Sequence, residues 1–204
     1  MWFPILITVL VSYLLGNLNG AFSMSIIISN EDVRKKGSGN AGLTNFVRSF
    51  GMGSAALVAL IDVTKAVLAC LLGRLLLAPY GYALQGMMLG AIAVSLGHDF
   101  PALLGFRGGK GILSGFAIAI VIDYRCALVI AAVFAVTVAI SKYVSLGSIL
   151  AAAALCVSFI VFHHNTPFVM AGGVVLGLLA IYMHRTNIKR LLQGTENKLS
   201  FGKK

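Results

Sequence analysis

Apolar runs recur along this chain at a length that admits few folds. Residues 4–28, 52–78, 81–104, 126–142, 145–163 and 166–184 are each mostly apolar, and roughly 17–25 such residues cross a bilayer as a helix. A seventh run, 111–123, is apolar but short. In lipid every backbone polar group must be satisfied within the protein, so runs of this length span as helices. Composition agrees. Of 204 residues, 59% are hydrophobic and mean hydropathy is +0.95, against roughly 45–50% apolar residues in soluble domains. The expected fold class is an all-α membrane protein, with a single integral-membrane domain over residues 1–204 and no internal repeat or linker.

Charge decides between six spans and seven. The net charge of +10 invites a nucleic-acid reading. However, the basic residues sit in loops and tails between apolar runs, which is the pattern of membrane topology. No nucleic-acid partner is expected. Counting 111–123 as a short or tilted span gathers Arg34, Lys35, Lys36, Arg48, Arg107, Lys110, Lys142, Arg185, Lys189, Arg190, Lys198, Lys203 and Lys204 on one side. The opposite side keeps Arg74 and Arg125, and Lys65 falls inside a span. Six spans would split the basic residues across both faces. The expectation is therefore seven transmembrane helices, with the N-terminus outside and the C-terminus cytoplasmic. The first 28 residues lack a basic leader and read as a retained span, not a signal peptide.

Two polar, Gly-rich blocks interrupt this chain: Ser38-Gly39-Asn40-Ala41-Gly42-Leu43-Thr44-Asn45 with Arg48, and Gly97-His98-Asp99-Phe100-Pro101 running into Gly108-Gly109-Lys110-Gly111. Amide donors, Ser, Asn, His, Arg and Lys with few carboxylates suit an oxyanion, most plausibly a phosphate. In the second block, consecutive glycines let amides approach an anion, the following helix adds its N-terminal partial charge, and Lys110 adds a full one. In the first, Ser38, Asn40, Thr44 and Asn45 exceed what one helix cap needs, and Arg48 is a natural bidentate phosphate partner. With seven spans, both blocks, the turn Tyr143–Ser148 and the tail His184–Asn187 fall on the cytoplasmic face. Four distant segments can then converge on one site.

Other polar residues read as follows. His98 suits a general base or a hydrogen-bond donor, although a lone interfacial histidine is as readily structural. His184 and Asn187 are three apart and share a helix face. His163-His164 is given no role. Asp62 and Lys65, at i and i+3 within a span, read as a structural ion pair. Cys70, Cys126 and Cys156 lie in apolar stretches without metal-ligand spacing and read as packing residues. Gly51, Gly53, Gly73, Gly86, Gly90 and Gly97 read as helix-packing notches.

Several chemistries drop out. A Walker loop needs Gly-x4-Gly-Lys-Ser/Thr, but position 104 is Leu and Gly111 follows Lys110. There is no Gly-x-Ser-x-Gly elbow, and the His-x4-Asp motif of soluble-faced lipid acyltransferases is missing after His98, four residues beyond which comes Ala102. Glu31, Asp32, Asp62, Asp99, Asp123 and Glu196 are too few carboxylates for metal-ion phosphoryl transfer. What remains is a transfer on a phosphate-bearing substrate without metal or other cofactor.

In order along the chain stand Ser38-Gly39-Asn40-x-Gly42-x-Thr44-Asn45-x-x-Arg48, Asp62-x-x-Lys65, Gly97-His98-x-Phe100-Pro101, Phe106-x-Gly108-Gly109-Lys110-Gly111, Tyr143-Val144-Ser145-Leu146 with Ser148, and His184-x-x-Asn187-x-x-Arg190-Leu191-x-x-Gly194-x-Glu196. Any one is weak, but the ordered set resembles the PlsY-type bacterial acyl-phosphate:glycerol-3-phosphate acyltransferases. The resemblance implies a multi-pass enzyme of the bacterial inner membrane with its active site on the cytoplasmic face. Its substrates would be acyl-phosphate and glycerol 3-phosphate, and its product lysophosphatidic acid. Membrane lipid would surround the acyl chain, and no acyl-CoA, carrier protein or metal is implied. The resemblance assigns catalysis to Ser38, His98 and Asn187. It assigns substrate and phosphate binding to Asn40, Asn45, Arg48, Gly108, Gly109, Lys110, Gly111, Ser145 and His184. Oligomeric state is not set, and a monomer is the simplest reading.

The chain departs from the family pattern at Leu43, where Ala is usual, and at Ile112-Leu113-Ser114, where Val-Ala-Thr is usual. Both changes put bulkier aliphatics beside the expected site and bear on acyl-chain preference. The competing readings are a non-catalytic organic-phosphate transporter or sensor, and a paralogue acting on another phospho-alcohol. A transporter places its site at the midplane between repeats. Here the polar groups gather on one face and no repeat exists.

Overall fold

The computed structural model describes residues 1–199; Lys203 and Lys204 of the charge count lie outside them. All regular structure among the described residues is helical. Five stretches are long and apolar enough to cross a membrane: Trp2–Ser29, Ala55–Tyr80, Ala83–Leu104, Tyr124–Ser141 and Val144–Phe162. Pro167–Met183 and Arg185–Leu192 form a pair bent by 54° that makes a sixth if taken as one span. Ile112–Ile122 is a shorter apolar helix. The chain folds as two compact units, Met1–Ile122 and the residues from Asp123 onward.

The first unit holds α1 (Trp2–Asn17), α2 (Gly20–Ser29), α3 (Leu43–Phe50), α4 (Ala55–Leu77), α5 (Ala83–Asp99) and α6 (Ile112–Ile122). Helix α1 buries Thr8, Ser12, Gly16 and Asn17, while Leu6, Leu10 and Leu14 are 54%, 53% and 56% exposed. Small and polar groups face the protein and leucines face outward, as expected where the solvent is lipid and close backbone approach drives helix association. Gly16 and Gly97 back onto each other between α1 and α5, and Gly73 and Gly86 do so between α4 and α5. A Cβ at any of the four would fall on the facing backbone. Gly90 abuts the Ala69 backbone in the same way. Gly51 and Gly53 are not notches, because both face open space. Gly51 instead ends α3 at φ 80°, a conformation that glycine adopts without strain.

The expected run 4–28 is broken. Leu18 and Asn19 are extended, and the Asn19 side chain caps α2 by accepting from Phe22 N at 2.8 Å. A break at this depth frees backbone groups that lipid cannot satisfy, and α4 supplies their partners. Lys65 Nζ donates to Leu18 O at 2.6 Å and Gly16 O at 3.3 Å, and Gly20 N donates to Asp62 Oδ1 at 3.2 Å. The Asp62–Lys65 pair itself closes at 2.8 Å with both side chains buried. The ion pair read from sequence therefore exists, and its positions serve the broken span.

The second unit holds α7 (Tyr124–Ser141), α8 (Val144–Phe162), α9 (Pro167–Met183) and α10 (Arg185–Leu192). Helix α7 packs on α8, and α8 on α9. Lys142, left-handed at φ 63°, ends α7 and starts the tight turn into α8. The chain bends at His184, between α9 and α10.

Candidate active site

The first polar block folds around one side chain. Asn45, on α3, is 2% exposed. Its Nδ2 donates to the carbonyls of Val33, Lys36 and Asn40 at 2.9–3.1 Å, and its Oδ1 accepts from Ser38 N at 2.8 Å. Two N–H groups reach three carbonyls, so one is shared, and both ends of the carboxamide are engaged within the loop. Asn45, expected to touch substrate, is thus the internal frame of the loop that presents Ser38. Ser38 and Arg48 stand exposed on this frame. Asn19 holds the same loop from below, donating to Ala41 O at 2.9 Å.

The second block meets the first. Asn40 Nδ2 lies 3.5 Å from Gly108 O. Arg34 Nη1 donates to Leu104 O at 2.7 Å and to Arg107 O at 3.3 Å. The Arg34 guanidinium also grips Asp32, whose carboxyl it holds below the usual range by hydrogen bonding, against an opposing push from burial. Arg34 thus ties the two polar loops together. Sequence reasoning missed it because it reads as one cation in a basic run.

Beneath the glycine loop lies a buried network. Gly108 N donates to Asp99 O at 3.2 Å and Gly109 N to His98 O at 3.0 Å. These two amides, expected to face an anion, are spent on the end of α5. The His98 ring sits directly under Gly109, where any Cβ would strike Nε2. His98 is 4% exposed, and its Nδ1 lies 2.7 Å from Lys65 Nζ. Facing an ammonium, Nδ1 accepts, which leaves the proton on Nε2. Ser114, on α6, donates to Asp62 O at 3.2 Å and joins α6 to the same network.

The second unit builds its own polar cluster. Ser145 opens α8, His184 marks the bend and Asn187 lies on α10; all three are buried. Glu196 joins them from the tail: Asn187 Nδ2 donates to its Oε1 at 3.0 Å, and Arg190 Nε to its Oε2 at 2.7 Å. The Ser145 hydroxyl lies toward the same carboxylate. Burial pushes the Glu196 carboxyl up, but Arg190, Asn187 and Ser145 together leave it below the usual value. His184 Nδ1 faces Ala180 O at 2.8 Å, so Nδ1 carries a proton. Leu199 N donates to Lys142 O at 2.6 Å, and Lys198 stacks over Tyr143, which fold the tail back on the α7–α8 turn. Glu196 closes the last motif quoted from the sequence but was given no role there. Its signal was a lone carboxylate in a basic tail, two residues after Gly194.

Residues 6–194 match the model of the family described as glycerol-3-phosphate acyltransferase. Proteins named glycerol-3-phosphate acyltransferase align over nearly full length. The one from Thermoanaerobacter sp. (strain X514) is 39% identical over 95% of this chain and 94% of its own. That from Clostridioides difficile (strain 630) is 39% identical over 97% and 96%. That from Gloeobacter violaceus is 40% identical over 92% and 91%. Among solved structures, PlsY (YgiH), an integral membrane glycerol 3-phosphate acyltransferase, superposes in its glycerol 3-phosphate form with a TM-score of 0.86, at 30% identity and 96% coverage of both chains. Its lysophosphatidic acid form gives 0.79.

Proposed function

The chain belongs to the glycerol-3-phosphate acyltransferase family, and from that membership we propose that it moves a fatty acyl group from an acyl-phosphate to the 1-hydroxyl of sn-glycerol 3-phosphate. The hydroxyl oxygen attacks the acyl carbonyl, the carbon–oxygen bond to phosphate breaks, and the hydroxyl proton passes to a phosphate oxygen. The products are lysophosphatidic acid and phosphate. The match over residues 6–194 carries this reading.

The donor is already activated, so the chemistry needs alignment and charge more than a covalent nucleophile. Lys110, Arg48 and the backbone from Gly111 hold phosphate and stabilise the one that departs. Ser38 and Asn187 orient the acyl carbonyl, and Ser145 and His184 bind phosphate. Asn40 and Asn45 act through the loops they hold. His98 is a positioning residue rather than the base: its Nδ1 is occupied by Lys65 and its ring carries Gly109. A substrate phosphate serves as the base.

The positive-inside count supports seven spans, with α6 as a short one, the N-terminus outside and the site on the cytoplasmic face of the bacterial inner membrane. Residues 1–204 act as one functional domain, and a monomer suffices. The test is donor choice. Purified enzyme should form lysophosphatidic acid from palmitoyl-phosphate and glycerol 3-phosphate, and none from palmitoyl-CoA. Turnover with the thioester alone would overturn the proposal.

A further inference from the structure

Asp123, Cys126 and His163 form a cluster in the second unit that acyl transfer does not use. Asp123 caps α7, Cys126 lies one turn into that helix, and His163 caps the far end of α8. All three are buried, and their ligand atoms lie within 4.8 Å of one another. Three donors of different kinds (carboxylate oxygen, thiol sulfur and imidazole nitrogen) converge where no hydrogen-bond network requires a thiol.

His163 Nε2 is the informative atom. The residue is 9% exposed, and among the described residues Nε2 makes no hydrogen bond of acceptable geometry, although Asp123 Oδ2 is 3.1 Å away. A buried carboxylate and imidazole this close without hydrogen-bond geometry are arranged as two ligands of one ion would be. The ring is held for that task. It stacks on Phe159 with centroids 5.1 Å apart, and Nδ1 faces Thr166 Oγ1 at 3.5 Å. A metal-bound imidazole characteristically orients through its other nitrogen in this way. Asp123 Oδ1 accepts from the backbone N of Arg125, Arg125 Nε is shared between Oδ1 and Oδ2 at 3.0 and 3.2 Å, and Oδ2 also faces Arg125 Nη2 and His163. The Arg125 side chain is 51% exposed and stacked over Phe162, so it can keep Oδ1 and yield Oδ2.

We propose that Asp123, Cys126 and His163 bind a divalent transition metal of the zinc class, with a fourth position open to water or another small ligand. Zinc sits about 2.3 Å from sulfur and about 2.0–2.2 Å from nitrogen or oxygen, which sets ligand spacings of roughly 3.3–3.7 Å. The cluster reaches that geometry by contracting about 1 Å. One S, one N and one O donor select zinc over calcium or magnesium. The bound ion would clamp the start of α7 to the end of α8, independently of the acyltransferase chemistry.

The test uses the untagged, full-length protein in detergent, stripped with chelator and titrated with Co2+. The expected result is one cobalt per chain with a thiolate-to-cobalt charge-transfer band that zinc displaces. Cys126→Ala should abolish the band and His163→Gln should weaken binding roughly tenfold or more, while Cys70→Ala and Cys156→Ala behave as wild type. Thermal unfolding of each variant separates lost binding from lost fold. Folded wild type that takes up no cobalt, or takes it up without the thiolate band, overturns the proposal. So does a band that survives Cys126→Ala, or binding unchanged by His163→Gln.

Discussion

Lys65 shows why residue type and sequence spacing underdetermine a role. Its i, i+3 distance to Asp62 predicts the ion pair. Nothing in the sequence says that the ammonium also reaches Gly16 O, Leu18 O and His98 Nδ1, because those partners arrive through helix packing. Removing one partner of a buried pair strands the other, at a cost of about 3–5 kcal/mol. Lys65→Met should therefore sharply lower the thermal unfolding midpoint in detergent, and adding Asp62→Asn should recover part of the loss. A single variant as stable as wild type would contradict the network. His98 belongs to the same lesson. Its sequence position left open a base or a hydrogen-bond donor, and the close approach of its ring to Gly109 supports the positioning role proposed for it. Glu196 gives the pH dependence. Its carboxyl lies below the usual 4.5 in the folded protein, so the stability it lends is fully present above that value and is lost as pH falls through the lowered one. Acid unfolding curves should show this limb in wild type, and a flatter one in Glu196→Gln.

At the scale of elements, helix extents were legible and interruptions were not. The expected run 126–142 is α7 at Tyr124–Ser141, and 145–163 is α8 at Val144–Phe162, because span length follows from the count of apolar residues. The break at Leu18-Asn19 was passed over because long apolar stretches flank Gly16-Asn17-Leu18-Asn19-Gly20 on both sides and the whole reads as one span. Gly16, Asn17, Asn19 and Gly20 were its local signs, and the partners of Asn19, Ala41 and Phe22, became apparent only in the fold. Asn19→Ala removes both the cap, about 1 kcal/mol, and the Ala41 tie, so it should reduce stability and acceptor affinity together, read as Tm and KM. The glycine loop was legible as a candidate anion site, but the commitment of the Gly108 and Gly109 amides to the carbonyls at the end of α5 was not. Gly109→Ala pushes against the His98 ring and shifts Lys110. A displacement near 1 Å costs about 100-fold in kcat/KM. Unchanged kinetics in a folded Gly109→Ala would show that the ring does not position the loop.

For the whole molecule, fold class and family were readable because they rest on global quantities: the number of apolar runs, the sidedness of charge and the order of motifs. Arg34 and the Asp123–Cys126–His163 cluster were not readable. Their partners lie on other segments, and spacing rules see only neighbours in sequence. The proposed orientation rests on charge alone and is open to direct test. Reporter fusions should place the C-terminus in the cytoplasm, and a C-terminus outside would invert the assignment of the polar blocks.

The central claim is that Lys110 and Arg48 hold phosphate during acyl transfer from an acyl-phosphate. The most direct measurement follows phosphate release and lysophosphatidic acid formation together, from palmitoyl-phosphate and glycerol 3-phosphate, in purified wild type, Lys110→Ala and Arg48→Ala. The account predicts acceptor-dependent turnover that falls about 100-fold or more in each variant, with unfolding temperatures unchanged. Turnover retained by both folded variants, or phosphate release without acceptor, would contradict it.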